Sequence, residues 1–121
     1  MSYEKEWDCQ PHVHELQGPT AVAGECPHTH RFATVTGEEI PVKGGHIHKI
    51  LARTDFFFDH YHIIRAVTGP DIYVGCGKHV HFIKDVTSFD DGHKHKFQAA
   101  TFIEDPLLWI KKKFKHEEYD D

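Results

Sequence analysis

Residues 44–69 read GGHIHKILARTDFFFDHYHIIRAVTG. The word His-x-His occurs twice, at His46/His48 and His60/His62, fourteen residues apart. Around it the residues are Ile, Leu, Phe, Tyr, Val and Thr in rough alternation, the composition and period of a half-buried strand. In a strand, side chains i and i+2 share a face, so each pair aims two imidazoles the same way.

The same word recurs at His12/His14, His28/His30, His79/His81 and His93/His95. Six pairs therefore account for twelve of the thirteen histidines, and His116 stands alone. Alternate pairs begin at 12, 46 and 79 and at 28, 60 and 93, which makes a period of about 33 residues, three times over. The flanks agree. The first pairs read HVHEL, HIHKI and HVHFI, and the second HTHRFATVTG, HYHIIRAVTG and HKHKFQAATF. The expected fold is all-β and a single domain, with repeats at about 11–43, 44–76 and 77–106 and a tail over 107–121. Each repeat would be a hairpin plus a short strand. The three would close around a pseudo-threefold axis as a barrel or prism, a stacked β-solenoid being the alternative. The third copy ends in FIEDPLL and reads as an atypical terminal repeat.

Extending the parity shows which way the imidazoles point. Their face continues into Phe32, Ile64 and Phe97, then Thr34, Ala66 and Ala99, and after the first pairs into Leu16, Ile50 and Ile83. The opposite face of the second strands carries Thr29, Arg31, Tyr61, Ile63, Lys94 and Lys96, mostly polar. Val13, Ile47 and Val80 make the first strands less one-sided. The histidines thus share the core side. A buried imidazole nitrogen without a partner costs about 1–3 kcal/mol, and a dozen of them cannot all charge without repelling one another. They must hydrogen-bond, admit water or bind metal.

Threefold closure would gather the histidines in sets: His12, His46 and His79; His14, His48 and His81; His28, His60 and His93; His30, His62 and His95. Three imidazoles with an open position suit catalytic zinc. Two stacked layers giving six nitrogens suit octahedral iron, nickel or manganese. A pair plus a carboxylate is a third arrangement. Asp59, Asp90, Asp91 and Glu25 precede the second pairs and read first as polar turn residues, or else as ligands or acceptors behind them.

Composition narrows the function classes. The chain of 121 residues is 39% hydrophobic and 27% charged, which fits a globular domain. Its net charge of −5 argues against nucleic acid as a partner. Protonating all thirteen histidines would carry that −5 to +8, a steep dependence on pH near 6 unless the imidazoles are held neutral. No apolar run reaches the roughly 20 residues of a membrane helix. The polar start MSYEKEWDCQ lacks a signal-peptide core, so a cytoplasmic location is expected. Cys9, Cys26 and Cys76 form no CxxC and are expected to be reduced thiols. Phosphate-loop, nucleophile-elbow and HExxH motifs are absent, and no catalytic residue can be named. Gly44-Gly45 and Gly75-Cys76-Gly77 read as turns, and Phe56-Phe57-Phe58 as core or, if exposed, a homo-oligomer contact. In the tail, Asp105 as N-cap and Pro106 at the first position would open a short helix with Leu107, Ile110 and Phe114 on one face.

The stretches HVHEL, PHTHRFATVTG, GGHIHKI, TDFFFDHYHII, TGP, GKHVHF and DGHKHKF resemble the YmaF family, small bacterial proteins with repeated His-x-His pairs. The likeness runs from His12 to about Pro106 and implies a bacterial protein but no activity. The expected function is a transition-metal-binding protein, for storage, sensing or buffering, with zinc, iron or nickel held by the twelve paired histidines. One alternative is a metalloenzyme whose open coordination position activates water or oxygen. The other is a metal-free structural protein with a pH-responsive histidine core.

Overall fold

A computed structural model describes residues 11–107, which are all-β and contain no helix. The strands are β1 (His12–Val13), β2 (Glu15–Pro19), β3 (Arg31–Val35), β4 (Ile40–Val42), β5 (Gly45–Ile47) and β6 (Lys49–Arg53), then β7 (Ile63–Val67), β8 (Asp71–Gly75), β9 (Lys78–Val86), β10 (Lys96–Ala100) and β11 (Asp105–Pro106). Three antiparallel hairpins dominate, each with five residue pairs: β2–β3 from Glu15↔Val35 to Pro19↔Arg31, β6–β7 from Lys49↔Val67 to Arg53↔Ile63, and β9–β10 from Phe82↔Ala100 to Val86↔Lys96. Three shorter pairings, β4–β5, β8–β9 and β1–β11, link them. Two tight turns take positive φ at both central residues, Cys76-Gly77 and Asp91-Gly92. That is the backbone of a type I′ hairpin turn, whose twist matches the flanking strands.

The sheets stay small and do not close into one barrel. Neighbouring hairpins meet through single backbone hydrogen bonds rather than through ladders. At one end Gly37 N donates to Lys49 O (3.0 Å), Gly69 N to Phe82 O (2.8 Å) and Phe102 N to Glu15 O (2.9 Å). At the other, Asp55 N donates to Arg31 O (3.0 Å), Ser88 N to Ile63 O (2.8 Å) and Ala21 N to Lys96 O (2.8 Å). In each trio the last bond returns to the first hairpin, and β3 packs on β6, β7 on β9 and β10 on β2. An open stacked solenoid would not tie its last segment to its first.

The chain after β10 departs from one expectation. FIEDP makes the return contacts, Phe102 to Glu15 and β11 to β1. Asp105 and Pro106 do not start a helix. Their backbone pairs with Val13 and His12, and Leu107 N donates to Pro11 O at 3.0 Å. A proline is tolerated in so short an edge pairing, where no ladder needs its missing N–H. The rest of the anticipated helix, with Ile110 and Phe114, lies outside the described residues, as do Cys9 and His116.

Between the two ends sit six buried apolar side chains, Leu16, Phe32, Ile50, Ile64, Ile83 and Phe97, with Ala52, Ala66 and Ala99 packed against them. Each of the six lies two residues beyond the second histidine of a pair, on the same strand face. This layer separates the histidines of the first pairs from those of the second. Full burial of one such side chain stabilises by about 1.5–3 kcal/mol. Ile64→Ala, at a fully buried position, is expected to lower the unfolding free energy by about 2–5 kcal/mol in urea titration. Leu51→Ala, two-thirds exposed on the neighbouring strand, should change it by under about 0.5 kcal/mol. Equal effects would contradict this placement of the core.

Candidate metal centres

The second histidine of every pair, His14, His30, His48, His62, His81 and His95, is fully buried. Six threonines hold these inner histidines. The backbone N–H of His14 donates to Thr36 Oγ1 (3.2 Å), His30 to Thr20 (3.0 Å), His48 to Thr68 (3.1 Å), His62 to Thr54 (3.0 Å), His81 to Thr101 (3.0 Å) and His95 to Thr87 (3.0 Å). In return each threonine N–H donates to the carbonyl of the same histidine, at 2.8–2.9 Å. The clasp fixes the inner backbone on both sides. Burial of a polar strand segment is tolerated because its donors and acceptors are paired.

The imidazoles are oriented by their Nδ1 atoms. Those of the inner histidines meet carbonyl oxygens one residue past a threonine of the adjoining hairpin. His14 meets Phe102 O (2.9 Å), His48 Gly37 O (2.8 Å), His81 Gly69 O (2.9 Å), His30 Asp55 O (2.8 Å), His62 Ser88 O (2.9 Å) and His95 Ala21 O (2.8 Å). His28 and His93 do the same with Cys26 O (2.8 Å) and Asp91 O (3.0 Å). A carbonyl only accepts, so in these eight rings the proton sits on Nδ1 and Nε2 carries a lone pair.

The Nε2 atoms gather at the two ends of the apolar layer. In site 1, His12, His46 and His79 form a triangle with edges of 3.2, 3.1 and 3.1 Å. His14 lies 3.1 Å from His79 and His81 3.2 Å from His46. With His48, the six donor atoms of this site all lie within 4.8 Å of one another. In site 2, His28, His30, His62, His93 and His95 meet the same limit. His60 Nε2 joins them at 3.2 Å from His28 and 3.3 Å from His30, and His62 lies 3.2 Å from His93. Both groups are close enough to hold a metal ion. The buried Nε2 atoms of His48 and His95 have no hydrogen-bond partner among the described residues. Such an atom costs about 1–3 kcal/mol unless something accepts its lone pair.

Protonation is a poor remedy. Burial pushes His14 down to about 3 and His79 and His95 to about 4, with neighbouring imidazoles adding to the effect. His46, His48, His62 and His81 are lowered too, again first by burial. The lone pairs are therefore available at neutral pH, the state a metal needs.

Carboxylates stand behind the outer rings of site 1. Glu39 Oε1 lies 3.6 Å from His12 Nδ1, Asp71 Oδ1 3.7 Å from His46 Nδ1 and Glu104 Oε1 3.4 Å from His79 Nδ1. Each of these oxygens also accepts the backbone N–H of the same histidine, at 3.0, 3.1 and 2.9 Å. Burial alone would raise Asp71 and Glu104, but these donors and the facing imidazoles hold both carboxyls below their ordinary range. A Cβ at Gly45 would collide with Asp71 Oδ1, so glycine there permits the approach. At site 2, Asp59 and Asp91 approach His60 Nδ1 (3.5 and 3.4 Å), Asp90 approaches His62 (3.5 Å) and Asp55 His30 (3.3 Å). Outside this end is a cavity of about 250 Å³ lined by Glu25, Cys26, Phe57, Phe58, Asp59 and Asp91 among others.

Eleven of the twelve paired histidines fall in the two groups, which draw on the anticipated sets of three two by two, and His60 lies beside the second group while forming a further one with Asp91 and His93. Asp59, Asp90 and Asp91 are more than turn residues, since they face imidazole nitrogens. Glu25 is exposed, as are the free thiols Cys26 and Cys76. The Phe triplet is divided: Phe57 stacks on the His28 ring at 4.1 Å, while Phe56 and Phe58 are exposed. The threonines and the trio Glu39, Asp71 and Glu104 were not anticipated from the sequence. Both had a signal there. Every pair is followed six residues after its second histidine by threonine, and the acids of the trio stand three residues after Thr36, Thr68 and Thr101.

The YmaF family model, described as "Spore germination protein GerY/YamF", matches residues 9–103, and the chain belongs to this family. No curated protein and no solved structure shows a significant match.

Two predictions follow from the imidazoles and their clasps. The unfolded chain binds protons at histidine near pH 6.5, whereas the folded, chelator-treated protein resists them down to about 3 to 4 at His14, His79 and His95. The unfolded state thus binds more protons in this window, and stability must fall as pH drops from about 6.5 toward 4. Thermal midpoints between pH 7.5 and 4.5 test this, and a flat profile would contradict it. Thr54→Val, which removes the acceptor for the His62 N–H at a fully buried site, should cost about 1–3 kcal/mol in denaturant titration. An unchanged midpoint would show that the clasp is not a stabilising contact.

Proposed function

We propose that this YmaF-family chain is a transition-metal-binding protein holding two ions, each in a six-imidazole site with every coordination position filled by protein. Three copies of a repeat, arranged about a pseudo-threefold axis as a prism of separate hairpins, bring equivalent histidines together at each end. The convergence of Nε2 atoms carries the reading. In an octahedron the edge is √2 times the bond. Edges of 3.1–3.3 Å correspond to bonds of about 2.2–2.3 Å (3.1/1.41 and 3.3/1.41). The trans distance, twice the bond, is then about 4.4–4.6 Å, within the 4.8 Å span of the six donors in site 1.

Six nitrogen donors favour an octahedral ion such as iron or nickel over zinc, which prefers four ligands in structural sites. Saturation also ranks the functions. A catalytic ion keeps a position for water or substrate, and twelve histidines divided six and six leave none. Storage or buffering of the ion, together with stabilisation of the fold by it, is the function that remains. A metal-free histidine core fits less well. With Nδ1 holding the proton on both rings, the Nε2 lone pairs of His28 and His30, and of His62 and His93, repel at 3.2 Å. The family description places relatives in spore germination, a setting in which a metal-pinned core would resist heat and drying.

Elemental analysis of untagged protein purified without chelator is expected to give two first-row ions per chain. His14→Ala should remove one ion, His95→Ala the other, and the double variant both. At a free-metal concentration 100 times the dissociation constant, each ion should stabilise the fold by about 2.7 kcal/mol. Protein that takes up no metal from buffered iron or nickel, or one ion with an exchangeable water, would overturn the proposal.

A further inference from the structure

The two sites differ in what stands behind their outer imidazoles. In site 1 each outer ring faces a fixed carboxylate: Glu39, Asp71 and Glu104 with side chains only 20%, 33% and 16% exposed. In site 2 the outer rings of His28 and His93 face the carbonyls of Cys26 and Asp91, and of the three outer rings His60 alone faces carboxylates, those of Asp59 and Asp91. The site 2 carboxylates, Asp55, Asp59, Asp90 and Asp91, are 56%, 80%, 44% and 53% exposed. Charges in contact with bulk water are screened, whereas sheltered ones keep much of their field.

We infer that site 1 is built for a more highly charged ion than site 2: a trivalent or oxidised first-row ion in site 1 and a divalent ion in site 2. The inference rests on reading both clusters as metal sites. The six ligands of each site are neutral imidazoles. With three sheltered carboxylates beside it, a divalent ion in site 1 leaves one net negative charge and a trivalent ion leaves none. A carboxylate behind a ligating imidazole also makes that ligand more basic, which favours the higher charge again. Site 2 has the weaker version of both effects. For iron the difference appears as a one-electron couple, in which Fe(III) gains an electron from an outer donor to give Fe(II). All six nitrogens stay bound, so no bond breaks, and the outer rings of site 1, whose side chains are 11–18% exposed, bring the ligand edge to the surface where that donor can approach.

Iron is the probe. Protein loaded with two irons is titrated with dithionite in the presence of redox mediators and followed by Mössbauer spectroscopy. Two one-electron steps are expected, with site 1 the harder to reduce by at least about tenfold in the Fe(III)/Fe(II) preference, which is 59 mV for one electron. His95→Ala, which dismantles site 2, should retain the low-potential step. Glu39→Gln/Asp71→Asn/Glu104→Gln should raise that step by at least the same factor, and the milder Asp71→Asn alone should move it part of the way in the same direction. Two bound irons with equal potentials would overturn this inference while leaving the metal reading intact. So would a low-potential step that both carboxamide variants leave unmoved. Failure to bind iron at either site would overturn this inference, and the metal reading falls with it only if nickel is refused as well.

Discussion

The arrangement depends on one hydrogen bond made many times: an imidazole Nδ1–H given to a backbone carbonyl. That bond decides which nitrogen carries the proton, and hence which way the lone pair points. In eight rings the acceptor is a carbonyl at 2.8–3.0 Å. For the inner rings the carbonyl belongs to the adjoining hairpin, so assembly of the hairpins and orientation of the imidazoles are one event. The contacts between the last hairpin and the first also aim the imidazoles.

This explains how so polar an interior persists. Among the described residues, six apolar side chains make a small core. Around them lie the six inner histidines and six threonines, all buried. Their backbone groups are satisfied in pairs and their Nδ1 atoms by carbonyls. What stays unsatisfied is concentrated at two points, where the Nε2 atoms converge. A small core stapled by metal is a familiar solution to limited hydrophobic burial, and here a staple would sit at each end of the apolar layer.

Much of this was legible in the sequence because two periods coincide. Period two in the strands put His46 with His48 and Ile50 on one face, and the 33-residue period grouped His12 with His46 and His79. Neither period reports depth along the axis. The sequence therefore did not decide whether His14, His48 and His81 form their own site or complete that of His12, His46 and His79. The threonines escaped because the stretch between each histidine pair and its threonine varies, hiding a constant spacing. Glu39, Asp71 and Glu104 escaped because they mix Asp with Glu in a linking segment. The Gly that follows Thr36 and Thr68 is also replaced by Phe102 in the third copy. Asp105-Pro106 has the composition of a helix start, but the need of β1 for a partner outweighs that local preference.

The central claim is that six imidazole nitrogens surround each ion. X-ray absorption at the metal edge, on iron- or nickel-loaded protein, tests it most directly. The expected spectrum is a single shell of six nitrogens at about 2.1–2.3 Å with the outer-shell scattering of imidazole rings. A four-coordinate shell, or oxygen ligands from water or carboxylate in the first shell, would contradict it.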